Sequence, residues 1–254
     1  MRDPSPAEPE PPQPLAVRVA EASASMSLIE HLEELRRRII IIGLAIIGAG
    51  IAGFILSDPI IQLLRAQLPE GAETLIQISV GEVLGVRLKI ALFVGIALAM
   101  PVILYQLWRF VTPGLTVRER RVVWPFLIMG VALFALGIGL GYVLIPYALN
   151  FLLSLSVEGV EPMLSIAEFV GFVTTLMIAF GIVFEFPIVM LLLARVGILN
   201  YRFLAARRRF AVVFIVVFAI FATPGGDPLS PAVLSLVMYT LFEMTLQIIR
   251  VTRR

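Results

Sequence analysis

The stretch AFGIVFEFPIVMLLLA, residues 179–194, is apolar throughout except for one carboxylate, Glu185, two residues before Pro187. A charged side chain near the centre of a bilayer costs roughly 2.5–3.5 kcal/mol on insertion scales. A proline removes a helix hydrogen bond as well, here the one that would reach the Val183 carbonyl. If this run crosses a membrane, it tolerates two unfavourable features side by side, and the rest of the chain must say why.

The surroundings support a membrane reading. Of 254 residues, 59% are hydrophobic, and the mean hydropathy is +0.99; ordinary soluble domains are about 45–50% apolar. Runs of apolar residues predict an all-α polytopic protein with six transmembrane helices, at about residues 38–56, 85–107, 122–147, 167–196, 210–223 and 229–242. The last two are short. Fourteen residues reach about 21 Å at 1.5 Å per residue, against a hydrocarbon core of about 30 Å. Such a pair must thin the bilayer or lean on a partner. The TPGGDP between them is too compact to hold a missing segment.

Composition also narrows the chemistry. There are no cysteines, so thiolate ligands and disulfides are excluded, and the single histidine, His31, cannot build a histidine metal centre. No P-loop pattern is present. The expectation from composition is a protein without a metal centre. Residues 1–25 open with MRDPSPAEPEPPQP, six prolines in fourteen residues mixed with acids, which predicts a disordered tail. The tail lacks the basic and apolar regions of a signal peptide. The membrane domain is expected over residues 26–250, with a basic tail at 251–254.

Orientation follows from the arginines. Arg36, Arg37 and Arg38 precede the first span; Arg109, Arg118, Arg120 and Arg121 join the second and third. Arg195, Arg202, Arg207, Arg208 and Arg209 join the fourth and fifth, and Arg250, Arg253 and Arg254 follow the last. The opposite loops hold Arg65, with Arg87 and Lys89 just inside the second span. The positive-inside rule then predicts both termini in the cytoplasm. Trp108, Trp124, Tyr142 and Tyr147 fall at span ends, where aromatic side chains anchor at the interface. In the long loop 57–84, DPIIQLLRAQL has one apolar helical face and ETLIQISV suits an extended strand.

Two clusters on the arginine-rich side combine acids with bases. In SMSLIEHLEELRRRIIIIG, Ser27 and Glu30 have capping-box spacing, and Glu33–Arg37 and Glu34–Arg38 are i,i+4 pairs. In the loop after the second span, Glu119 is the only acid, among Arg118, Arg120 and Arg121. On spacing alone, a salt-bridged helix entrance and a locally neutralised acid are the simpler accounts. A carboxylate offered to a cationic ligand is the functional alternative.

Four motifs in order carry a family resemblance: HLEELRRR before the first span, PVILYQLWRFVTPGL followed by ERR after the second, FGIVFEFP in the fourth, and TPGGD with YTLFE across the last two. Over about residues 26–250 they resemble TatC, the integral receptor subunit of the twin-arginine protein translocase. The resemblance implies binding of twin-arginine signal peptides at the cytoplasmic face of the bacterial inner membrane. It also implies assembly with the single-span partners TatA and TatB, use of the proton-motive force, and a homo-oligomer within a receptor complex, without cofactor, enzymatic chemistry or nucleic-acid partner. It places signal-peptide binding at Glu34 and Glu119 with Phe110 beside them, and His31, Arg36 and Arg38 as supports that orient Glu34. A guanidinium fork pairs with a carboxylate in a geometry that an ammonium cannot reproduce. Thr223, Asp227 and Glu243 match partner-docking positions. The chain departs from the family pattern at Pro231, where relatives commonly carry a glutamine. An intramembrane acid such as Glu185 also suits a proton-coupled secondary transporter, but such folds usually show paired interrupted helices. The resemblance instead suggests that Glu185 holds a polar recess beside the last two spans; a protonated glutamic acid bonded inside the bundle is the simpler alternative.

Overall fold

The computed structural model describes residues 15–69, 74–111, 117–156, 163–195 and 197–252, with side chains over 29–69, 74–110, 124–156, 163–195 and 197–251. It divides into two units, residues 1–41 and 42–254. In chain order the elements are α1 (Leu15–Ile55), α2 (Ser57–Arg65), β1 (Leu75–Ile76), α3 (Glu82–Val111), α4 (Val117–Ser154), β2 (Leu164–Ser165), α5 (Ile166–Phe184), α6 (Phe186–Arg195), α7 (Tyr201–Ala206), α8 (Arg208–Ala222) and α9 (Leu229–Thr252).

The first unit contains the beginning of α1. Helix begins at Leu15, inside the stretch expected to be an unstructured tail, while residues 1–14 lie outside the described residues.

In the second unit α5 is the central helix. Phe169, Val170, Val173, Leu176 and Phe180 are all buried, packed with Ile90 of α3, Ile145 and Leu149 of α4, and Leu234 and Met238 of α9. A bilayer supplies no hydrophobic drive between helices, so close contact relies on small residues. The α4–α5 pair meets in this way. A Cβ on Gly137 would stand 2.5 Å from the Phe180 carbonyl oxygen, and one on Gly141 would stand 2.9 Å from the Met177 Cα. Gly181 returns the fit by seating the Phe134 ring. The end of α1 packs on α3 through Gly53 against Val94 and Gly95 against the Ile46 carbonyl.

Among the described residues, five helical segments are long and apolar enough to cross a membrane: 29–55, 82–110, 124–154, 166–195 and 229–251. The segment 166–195 is broken at Glu185 into α5 and α6. At 15 residues, α8 is about 22 Å long, which agrees in length with the short helix expected there, and it is not among those five. The last helix is longer than expected. It continues for 24 residues to Thr252 instead of ending near Phe242. Glu243, which looked like the end of the apolar run, is paired across the hairpin with Arg208 at 3.1 Å, and the apolar face resumes at Leu246 and Ile249.

The long loop contains the expected helix, α2, and an extended segment, β1. β1 pairs in parallel with β2, Leu75 opposite Leu164 and Ile76 opposite Ser165. Of the aromatic anchors, Trp124 and Tyr147 are exposed, and Tyr142 donates its hydroxyl to the Leu63 carbonyl at 3.3 Å. Trp108 is not an interfacial anchor. It is buried in the bundle because Phe126 of α4 packs against it, ring centroids 5.0 Å apart.

Candidate functional site

The first candidate cluster lies in the first unit. Glu34 accepts a hydrogen bond from the Arg38 guanidinium one turn on, and His31 Nδ1 lies 3.9 Å from the other Glu34 oxygen. Both neighbours are one helical turn from Glu34, the spacing at which helix side chains meet. Arg36 is exposed and does not reach this carboxylate, and among the described residues the Glu33–Arg37 pair is not made. Two of the three expected supports, His31 and Arg38, therefore meet Glu34.

The second cluster lies in the second unit, at the end where α3 leads to α4. Phe110 is partly buried there. Beside it in sequence, Trp108 packs on Phe126, whose other neighbour is the Arg195 guanidinium, 5.0 Å from the ring centroid. A cation over a ring face in this range is attracted by the ring quadrupole. Glu119 falls in the first turn of α4, and its side chain lies outside the described residues.

The break in the fourth segment centres on Glu185. Its N–H reaches the Ile182 carbonyl at 3.0 Å and also faces that of Val183, which tightens the turn that Pro187 opens. The side chain is 5% exposed, and neither carboxyl oxygen has a hydrogen-bond partner among the described residues. One oxygen faces α4, where a Cβ on Gly130 would lie 3.2 Å from it and 2.5 Å from Leu104. Gly130 leaves the room this carboxyl occupies.

In the α8–α9 hairpin, Thr223 donates its hydroxyl back to the Ala219 carbonyl at 3.0 Å. Gly225 and Gly226 follow with φ of 94° and 72°, the left-handed region that favours glycine. Asp227 is buried, and one of its oxygens accepts from the Ser230 N–H at 2.7 Å, an N-cap on the first turn of α9. Pro231 sits in that first turn, where a missing N–H is tolerated. Glu243 pairs with Arg208 and lies 3.5 Å from the Tyr239 hydroxyl. Among the described residues no cluster of three His, Cys, Asp or Glu is placed to hold a metal ion.

A family model described as Sec-independent protein translocase protein (TatC) matches residues 30–236. The chain belongs to the TatC family. It is 36% identical over 231 residues to the translocase protein TatCy of Bacillus subtilis, an alignment covering 90% of this chain and 91% of the relative. It is 38% identical over 232 residues to TatC of Aquifex aeolicus, covering 87% and 93%. A solved structure described as "Crystal Structure of Twin Arginine Translocase Receptor- TatC" superposes with a TM-score of 0.75 at 33% identity, covering 88% of this chain and all of the other. With five helices able to span and this family membership, the chain is a multi-pass membrane protein.

Sequence reading missed a polar knot in this TatC-family chain. Glu82 at the start of α3 accepts from the Ser165 hydroxyl and from the N–H groups of Ala167 (3.1 Å), Ile78 (2.5 Å) and Ser79 (3.1 Å). One carboxylate thus joins the β1 loop, α3 and the start of α5. Beside it, Arg87 donates to the Ser57 hydroxyl at 3.0 Å and to Asp58 at 2.7 Å, which fixes α2 to α3. A signal was present: Ser79 and Glu82 have capping-box spacing ahead of an apolar run.

Proposed function

We propose that this chain is the receptor component of a twin-arginine protein translocase, binding twin-arginine signal peptides and working with other subunits of a Tat complex. Membership of the TatC family across residues 30–236 is the observation that carries this reading. The solved relative's description as a receptor gives it direction. Glu34, Glu119 and Phe110 form the signal-binding set, with Glu34 oriented by Arg38 and His31 and with Arg36 nearby. The Arg38 guanidinium already occupies one face of the Glu34 carboxylate, and an arginine of the precursor would share or displace it.

In this reading the chain crosses the bacterial inner membrane six times, with α8 as a short crossing and both termini in the cytoplasm. Partner helices of TatA and TatB type dock near Thr223, Asp227 and Glu243, copies of the chain associate in the receptor complex, and the proton-motive force drives export without enzymatic chemistry. Glu185 holds a polar recess opposite Gly130. Family membership favours translocation over the solute-transporter alternative.

The test is site-specific photo-crosslinking of a twin-arginine precursor in membranes. Glu34→Ala and Glu119→Ala should each abolish crosslinking while the protein still accumulates. Unchanged crosslinking in both variants would overturn the assignment. A precursor with two lysines in place of the arginines should crosslink much more weakly, because an ammonium cannot make the two-pronged contact.

A further inference from the structure

Within the second unit, a cavity of about 670 Å³ opens between α3, the end of α4 and the start of α5, with the Pro224–Gly225 turn at its margin. Its walls are mostly apolar, from side chains such as Leu92, Phe93, Leu152 and Phe172, but Lys89 and Glu168 also line it. Lys89 is seven residues beyond Glu82, about 10 Å along the helix. Its ammonium donates to the Ala167 carbonyl at 3.2 Å, leaving two of its three N–H groups for other acceptors. Gly171 makes room for it, since a Cβ there would stand 3.0 Å from Nζ. Glu168 is exposed and has no hydrogen bond or ion pair among the described residues, and the two opposite charges do not pair with each other.

We propose that this groove binds one phosphatidylethanolamine molecule, its phosphate on Lys89, its ammonium on Glu168 and an acyl chain along the apolar walls. The charges choose the occupant. An anionic lipid satisfies Lys89 but faces Glu168, whereas a zwitterion satisfies both. A choline headgroup has no N–H to donate to the carboxylate, so ethanolamine fits better. Size argues against a partner helix: at about 10–12 Å across, little more than one turn would fill 670 Å³. The proposal rests on α3, α4 and α5 crossing the membrane and is independent of signal-peptide recognition.

The test is native mass spectrometry of the full chain, purified and incubated with equimolar phosphatidylethanolamine, phosphatidylcholine and phosphatidylglycerol. The wild type should retain one phosphatidylethanolamine about tenfold in preference to either competitor. Lys89→Gln should lower that occupancy roughly tenfold, and Glu168→Gln should erase the preference for ethanolamine over choline. If Lys89→Gln does not fold, Gly171→Leu, which crowds the same ammonium, should also release the lipid. Equal retention of the three lipids by the wild type, or wild-type retention in Lys89→Gln or Gly171→Leu, would overturn the proposal. No precursor is present in this assay, so its failure and that of the receptor reading are separable.

Discussion

Glu185 is where a single side chain is most exposed to test. Its carboxyl is buried against Gly130 and Leu104 without a hydrogen-bond partner among the described residues, at a helix break that Pro187 enforces. If it maintains a polar recess, polarity is what matters and charge is not. Glu185→Gln should then export precursor like the wild type, and Glu185→Leu should export much less, measured by periplasmic accumulation of a reporter. Export by the leucine variant at the wild-type rate would end the recess reading. Glu82 offers a contrast, because each of its oxygens is engaged as an acceptor. In Glu82→Gln an amide N–H₂ replaces one acceptor and must face N–H or O–H donors. The variant should melt at a lower temperature in detergent and exchange the Ile78 and Ser79 amides faster. Glu185 was legible in the sequence because an acid stands out in an apolar run. Glu82 was legible only as a local cap with Ser79, because its other partners, Ser165 and Ala167, are remote in sequence and only the fold brings them near.

At the scale of helices, packing depends on positions that carry no side chain. A Cβ on Gly137 would meet backbone, the Phe180 carbonyl at 2.5 Å, which cannot move aside as a rotamer can. Gly137→Val should separate α4 from α5 and cost about 1–3 kcal/mol, the usual range for overpacking. Gly139, with nothing within 4 Å of its Cβ, is the control, and Gly139→Ala should leave the melting temperature unchanged or slightly raised. Hydropathy located these helices well but not their contacts, since a glycine in an apolar run looks the same whether it touches a neighbour or lipid. The same blindness shortened the last helix. Glu243 read as a stop because Arg208, its partner, is 35 residues earlier and meets it only once the hairpin closes.

For the whole molecule, the number of crossings is the central question, and the absence of native cysteines makes it direct to answer. A cysteine introduced at Ile198 or at Gly226 would be the only thiol in the protein. If α8 crosses the bilayer despite its 15 residues, a membrane-impermeant maleimide should label these two positions from opposite sides. Labelling from the same side would leave five crossings. The arginine distribution gives an expected sidedness from the chain alone, because loop charge is a local property, and the same labelling tests it. How the helices form a groove lined by both Lys89 and Glu168 was not readable, because those residues come from different helices.

The parallel pairing of β1 with β2, and the Glu82–Ser165 contact beside it, also bears on how the protein is made. The two partners are 83 residues apart in the chain. At ribosomal speeds of about 5–20 residues per second, Glu82 emerges roughly 4–17 s before Ser165. Through that interval the early loop has no strand to pair with, and α3 and α4 must enter the bilayer with their connection to α5 still unmade. The clasp is therefore a late event in synthesis: it can close only once the residues leading into the fourth hydrophobic segment have left the ribosome.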